Sequence, residues 1–179
     1  VSGRLGRRLF ITPSEYKKVR VSISQYAERL PEHRKATRDV MWVVDICDLA
    51  VSTGLRLAEL VHLQWGDVML DRGILEVRPK TLERDGLSFR PKSKRARYVE
   101  LQPLAVETLS RPHLLASREN NRSLVFTRCF GQKSELSPVD GKRVSKTWRK
   151  HRDLVRTKDP VPFHSLRSAY VTWLLLLSH

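Results

Sequence analysis

The spacing of apolar residues changes period along this chain, and that change limits the folds open to it. Between residues 34 and 51, apolar side chains fall at Val40, Val43, Val44, Cys47 and Val51. That is the repeat of a helix with one buried stripe. From residue 74 the pattern becomes that of strands. Ile74-Leu75-Glu76-Val77 follows an Asp71-Arg72-Gly73 turn, Leu87 to Arg90 follows Asp85-Gly86, and Arg97 to Leu101 makes a third strand. Pro91 to Ala96 reads as a basic hairpin turn between the second and third. Helical signals then return: a helix opening at Pro103 and reaching about Ser117, a strongly basic one over 140–156 and a mostly buried one over 164–177, with a short apolar run at Leu124-Val125-Phe126. A chain of this kind is expected to fold as a mainly α domain with a small antiparallel β-sheet, an α+β arrangement.

Local signals mark the remaining helices. Thr12-Pro13-Ser14-Glu15 supplies an N-cap, a proline at the first helical position and the acid of a capping box, so a helix should run from there to about Leu30, ahead of Pro31. Ser52-Thr53-Gly54 ends the helix that precedes it, and a short one follows from about Leu55 to Gln64, with Leu57, Leu60, Val61 and Leu63 as core. Residues 1–179 are expected to form a single domain. The sequence lacks an initiator Met and stops within the apolar run before His179, so it is expected to be a fragment of a longer protein.

Charge narrows the partners. The chain carries 34 Lys and Arg against 19 Asp and Glu, a net charge of +15. Such an excess favours a polyanion, nucleic acid first, over a merely soluble basic protein. The longest apolar stretch, Trp173 to Leu177, is far short of a membrane span, and the basic opening Val1 to Phe10 has no signal-peptide core. Cys47 and Cys129 alone form neither a disulfide framework nor a zinc pattern. The expected location is therefore cytoplasmic and, given the charge, nucleoid-associated. Asp45 and Asp48 are the nearest approach to a paired-carboxylate site. They read as an ordinary helix-surface pair, not as metal ligands.

Three segments carry chemistry. In Thr53-Gly54-Leu55-Arg56-Leu57-Ala58-Glu59, an arginine opens a helix just after a glycine turn, and Glu59 lies one turn on, on the same face, able to orient it. Alone, this is an ordinary surface salt bridge. In His164-Ser165-Leu166-Arg167, imidazole and guanidinium project from one face of a helix start, itself a place that favours anions. Alone, His164 is a cap and Arg167 a solvated charge. In Arg90-Pro91-Lys92-Ser93-Lys94-Arg95-Ala96-Arg97, five of eight residues are basic, which suits either a solvated turn or a loop that reaches a DNA groove. Lys142, Arg143, Lys146, Arg149, Lys150, Arg152 and Arg156 crowd one helical region.

The order of these segments resembles the catalytic domain of the tyrosine recombinases, the phage integrase family. The resemblance rests on TGLRLAELVHLQWGDV at 53–68, PKSKRARYVEL at 91–101 and HSLRSAYVTWLL at 164–175, with ITPSEY at 11–16 similar to the usual opening of the domain. It implies that Arg56 and Arg167 hold the scissile phosphate, that His164 pairs with Arg167, and that Glu59 buttresses Arg56. It also implies that a hairpin lysine protonates the leaving 5′ oxygen. Lys92 matches that lysine, five residues before Arg97, with Lys94 and Lys80 as competitors. Lys94, Arg95, Arg97, Arg143, Lys146, Arg149 and Lys150 are the expected DNA contacts. Ser168 departs from the pattern, since many members carry a second histidine there.

The family's nucleophilic tyrosine lies well beyond the second arginine. Tyr16, Tyr26, Tyr98 and Tyr170 do not match it, so the tyrosine segment, like the N-terminal DNA-binding domain, is expected outside these residues. The implied activity is site-specific recombination or integration through a 3′-phosphotyrosyl intermediate, with no metal or cofactor, on double-stranded DNA and as a homo-tetramer in the full-length protein. The fragment alone is expected to be inactive. The alternatives are a non-catalytic DNA-binding module on the same fold, type IB topoisomerase-like strand relaxation, and a basic structural or RNA-binding protein whose Arg56, His164 and Arg167 lie far apart.

Overall fold

Thr12 caps the first helix as its sequence dictates. Its hydroxyl accepts from the Glu15 N–H while the Glu15 carboxylate accepts from the Thr12 N–H, closing a capping box at the start of α1 (Pro13–Glu28). In the computed structural model, which describes residues 10–30, 39–82, 87–92, 95–130, 133–158 and 160–177, α1 packs on a central helix α2 (Asp39–Thr53). The expected start of that helix near residue 34 lies outside the described residues.

Helix α2 differs from the single buried stripe expected of it. Trp42 through Thr53 are buried all the way round, because α1, α4 (Pro103–Leu109), α6 (Gly141–Leu154) and α7 (Ser165–Leu177) all pack on it. Asp45 and Asp48 are accordingly not a surface pair. Both are buried, and each is matched by a cation brought from elsewhere in the chain. Arg111 reaches Asp45 with one guanidinium nitrogen and Asp48 with the other, the latter at 2.9 Å. Arg20 Nε donates to Asp48 at 2.9 Å, the Tyr16 hydroxyl donates to the same oxygen, and His113 Nε2 lies 2.7 Å from Asp45. Burial works against the Arg111 charge, but its bonds to the two aspartates outweigh that and raise its pKa.

Arg111 is free to do this because the helix expected over 103–117 is broken. It divides into α4 and α5 (Pro112–Leu115), with Arg111 extended between them. The residue before a proline is sterically excluded from helical geometry, so Pro112 both ends the run and turns Arg111 toward the aspartates.

Past α2, a short helix α3 (Leu57–Val61) leads into a sheet of three antiparallel strands: β1 (Val68–Met69), β2 (Ile74–Val77) and β5 (Arg97–Glu100), in that order. The strand expected at 87–90 is not in this sheet. As β4 (Leu87–Phe89) it pairs with β3 (Lys80–Leu82), a strand the residue pattern did not signal. The strands on either side of the expected hairpin turn at 91–96 thus belong to different ladders, and residues 93 and 94 of that turn lie outside the described residues. A further ladder, β6 (Thr127–Phe130) with β7 (Lys133–Pro138), was also unsignalled, its residues being mostly polar and without clear alternation.

The strand β2 pairs with β5 so that Leu75 faces Val99 and Val77 faces Arg97. Leu75 and Val77 are buried. Side chains alternate across a strand, so Arg97 and Val99 share the core-facing side while Tyr98 and Glu100 point out. Helix α7 is less buried than expected. Leu166 and Ala169 are core, but Val171, Leu175 and Leu176 are exposed, since only one face of this apolar helix meets α2. Among the described residues no helix is long and apolar enough to cross a membrane.

The Asp48→Ala variant should cost roughly 3–5 kcal/mol, because it strips Arg20 and the buried Tyr16 hydroxyl of their acceptor and leaves Arg111 with Asp45 as its remaining buried carboxylate. Urea denaturation should show a lower midpoint with little change in slope. Asp71→Ala, at an exposed carboxylate, should change stability by no more than about 0.5 kcal/mol.

Candidate active site

The site begins at a turn that only glycine can make comfortably. Gly54 has φ of +63°, and a Cβ at that position would sit 2.6 Å from Cδ1 of Tyr170. The Tyr170 ring on α7 therefore lies directly against the turn that ends α2. Arg56 follows two residues later as the N-cap of α3, and Arg167 lies one helical turn before Tyr170. The close approach of ring to glycine is what brings the two arginine-bearing segments together.

Glu59 sits at the base of the cluster. Its side chain is only 2% exposed, against 41% for Arg56. One carboxylate oxygen accepts from Arg56 Nη1 at 3.2 Å. The other accepts the Arg56 backbone N–H at 2.8 Å and Arg97 Nη2 at 2.7 Å. Burial opposes the Glu59 charge, but the bonds from Arg97 and Arg56 outweigh it and hold its pKa below the ordinary value. Arg167 feels the same group of charges. Its pKa is lowered by burial and by repulsion from Arg56 and Arg97, with Glu59 acting the other way. Arg56, Glu59, Arg97 and Arg167 thus form one electrostatic cluster, drawn from a helix start, a strand and a second helix start.

His164 is exposed at the turn into α7, and its carbonyl accepts the Arg167 N–H at 3.2 Å, which puts the two residues one turn apart. The segment before it is anchored. Trp148 Nε1 and Arg152 Nη1 both donate to the Val161 carbonyl at 3.0 Å, and the Phe163 ring meets Trp148 edge-on. Arg152 is therefore a structural residue and not a solvated charge of the basic helix.

The lysines separate clearly. The Lys80 side chain is 7% exposed, and its ammonium is paired with the fully buried Asp67. Burial lowers its pKa, with Asp67 acting in the opposite sense. Arg78 Nε holds the other Asp67 oxygen at 3.0 Å. Lys92 lies exposed in the turn after β4, and Arg95 is also exposed; Lys94 lies outside the described residues. On α6, Arg143, Lys146, Arg149 and Lys150 are all exposed, opposite the buried Val144, Trp148 and His151. Lys150 lies over the Tyr26 ring, 4.2 Å from its centroid. The helix starts beside the cluster, since a Cβ on Gly141 would lie 3.4 Å from Leu57, the residue after Arg56.

Arg97 is the residue whose place the reading of the sequence missed. It was grouped with the DNA contacts, yet its guanidinium lies on Glu59. The signal was present in the alternation Arg97, Val99, Leu101, which puts Arg97 on the apolar side of its strand.

This arrangement of helices around a small antiparallel sheet is the fold of tyrosine recombinase catalytic domains. The XerA recombinase structure matches with a TM-score of 0.63 at 19% identity, over 96% of this chain and 50% of that one. A Tn1549 transposon integrase in complex with a circular intermediate DNA matches with 0.63 at 15% identity, over 99% of this chain and 56% of that one. The lambda integrase catalytic core matches with 0.55 at 20% identity, over 91% and 81%. The chain spans about half the length of the first two. No curated protein matches it in sequence. The pattern of the phage integrase family matches residues 17–176, and the chain belongs to that family.

Glu59 has a folded-state pKa below its unfolded value of 4.5, so its contribution to stability is present above 4.5 and fades as pH falls through the lower folded value. Acid titration of unfolding free energy should show this loss below pH 4.5 in the wild type, and a flatter limb in Glu59→Gln.

Proposed function

We propose that this chain is the catalytic domain of a site-specific DNA recombinase that cuts and rejoins strands without metal or cofactor. The observation that carries the reading is that Tyr170 packs on the Gly54 turn and so brings Arg56 and Arg167, 111 residues apart in sequence (167 − 56), into one field of charge around Glu59. A phosphodiester under in-line attack gathers negative charge on its non-bridging oxygens. Two guanidiniums fixed beforehand where that charge develops stabilise the transition state with little reorganisation. Integrase structures of the same fold that contain DNA support the choice of partner.

In this reading Arg56 and Arg167 bind the non-bridging oxygens, and His164, one turn from Arg167, completes the cradle. A tyrosine hydroxyl attacks phosphorus. The bond from phosphorus to the 5′ oxygen breaks, and a 3′-phosphotyrosyl bond forms. The tyrosine loses its phenolic proton to water, and the leaving oxygen gains one from the Lys92 ammonium, which takes a proton back from water afterwards. Lys80 is a poor donor for this step, because its ammonium is tied to Asp67. Attack by a free 5′-hydroxyl reverses the sequence on a new partner strand, conserving the phosphoester bond.

The tyrosine is supplied from outside these 179 residues. Tyr16 is buried on Asp48, and Tyr170 is packed on Gly54 with its pKa raised by burial. Tyr98 points away from the Arg97 side of its strand, and the Tyr26 ring lies tilted against His151. The full-length protein would work as a tetramer on two DNA sites, with Lys92, Arg95 and the exposed cations of α6 along the phosphate backbone.

Full-length protein mixed with a nicked suicide substrate in EDTA should form a covalent DNA adduct. Arg56→Ala or Arg167→Ala should each slow that step by roughly 100- to 1000-fold while leaving DNA binding largely intact. Adduct formation at the wild-type rate in both variants would sink the assignment, and binding without any adduct would favour a non-catalytic module. Lys146→Ala with Arg149→Ala should weaken binding to all sequences alike and flatten the plot of log affinity against log salt by about two.

A further inference from the structure

The phosphate-binding reading of Arg56 leaves a question of charge. A carboxylate that orients an arginine also cancels it, and a cancelled arginine is a weak anion binder. Glu59 is buried, so its charge must be matched by something close. Its shorter guanidinium contact is not with Arg56, at 3.2 Å, but with Arg97, at 2.7 Å.

Three features set Arg97 apart from a groove contact. Its strand register places it opposite Val77, on the face it shares with Leu75 and Val99. Its Nη2 is committed to Glu59. Its Nη1 is buried, with no hydrogen-bond partner among the described residues. The Arg97 side chain is 31% exposed against 41% for Arg56, but the Nη nitrogens that would meet a phosphate are the ones withdrawn, one buried and one committed to Glu59. A buried donor without a partner is costly, and the fold tolerates it here to keep the guanidinium on the carboxylate.

We propose that Arg97 is a positioning residue for the recombination reaction: it neutralises and holds Glu59, so that Glu59 fixes Arg56 in place while leaving Arg56 its charge for the scissile phosphate. Three guanidiniums and one carboxylate then give the cluster two net positive charges, both carried by the arginines assigned to phosphate. Without Arg97, Arg56 is the one guanidinium among the described residues still bonded to Glu59, which draws it down from the phosphate. The lowered pKa of Arg167, to which Arg97 contributes, places Arg97 within the same field.

This inference rests on the recombinase reading, and the test separates the two. Full-length wild type, Arg97→Gln, Arg97→Lys, Glu59→Gln and the double Arg97→Gln/Glu59→Gln are compared on the suicide substrate. DNA affinity is measured over a range of salt, and thermal melting verifies folding. Arg97→Gln should slow adduct formation by about 100-fold, the scale of a small misplacement of a reacting group, with affinity and salt slope unchanged. Arg97→Lys, which keeps the charge, should retain most of the rate even if the glutamine variant folds poorly. The double variant should be no slower than Glu59→Gln alone, because Arg97 has no task once the carboxylate is gone. A wild type that forms no adduct overturns the recombinase reading and this inference with it. A reactive wild type overturns the inference alone under any of three results: Arg97→Gln lowers the salt slope by about one, Arg97→Gln reacts at full rate, or the two single losses multiply in the double.

Discussion

Glu59, a carboxylate closed off from water, joins the parts of this domain that have to act together. It reaches back to the N–H and guanidinium of Arg56 at the start of α3, and it takes the guanidinium of Arg97 from the sheet. A buried charge of this kind tolerates little displacement, because each ångström of separation from its partners is uncompensated in a medium that screens poorly. The sheet, the short helix and the turn at Gly54 are therefore held in one relation. Tyr170 packing on Gly54 then ties α7, and with it Arg167 and His164, to the same frame.

The same device recurs on the other side of α2. Asp45 and Asp48 are as buried as Glu59, and they too are matched by arginines brought from distant positions, Arg20 on α1 and Arg111 from the break between α4 and α5. In both places a buried acidic residue on a helix is met by an arginine from another element, Arg97 for Glu59 and Arg20 and Arg111 for the aspartates. The two clusters differ in openness. Arg111 is spent wholly on carboxylates and leaves no charge to offer, whereas the Glu59 cluster keeps Arg56 partly exposed. That difference, and not the number of charges, makes one a clamp for the helices and the other a site for an anion.

Short-range signals were legible wherever the chemistry is local. The Thr12 to Glu15 capping box, the stop at Gly54, the Arg56 and Glu59 pair and the spacing of His164 and Arg167 all depend on neighbours within one turn, and each was recovered in the structure. Pairing across the chain was not. Nothing in the run from Lys80 to Leu82 says that it will meet Leu87 to Phe89, and the polar ladder of β6 and β7 carries no alternation to announce it. Asp45 and Asp48 looked like surface residues because their cations lie as far as 66 positions away.

The resemblance of three segments, in their order, to the tyrosine recombinases pointed to the family of this protein and to the arginines to examine, and the caps, turns and one-turn spacings within those segments were legible because covalent neighbours set them. Which lysine is tied down, which arginine serves the carboxylate and which faces outward was decided only by the tertiary structure. Charge pairing depends on distance through space and on exclusion of water, and both come into being when the sheet and the helices close around Glu59.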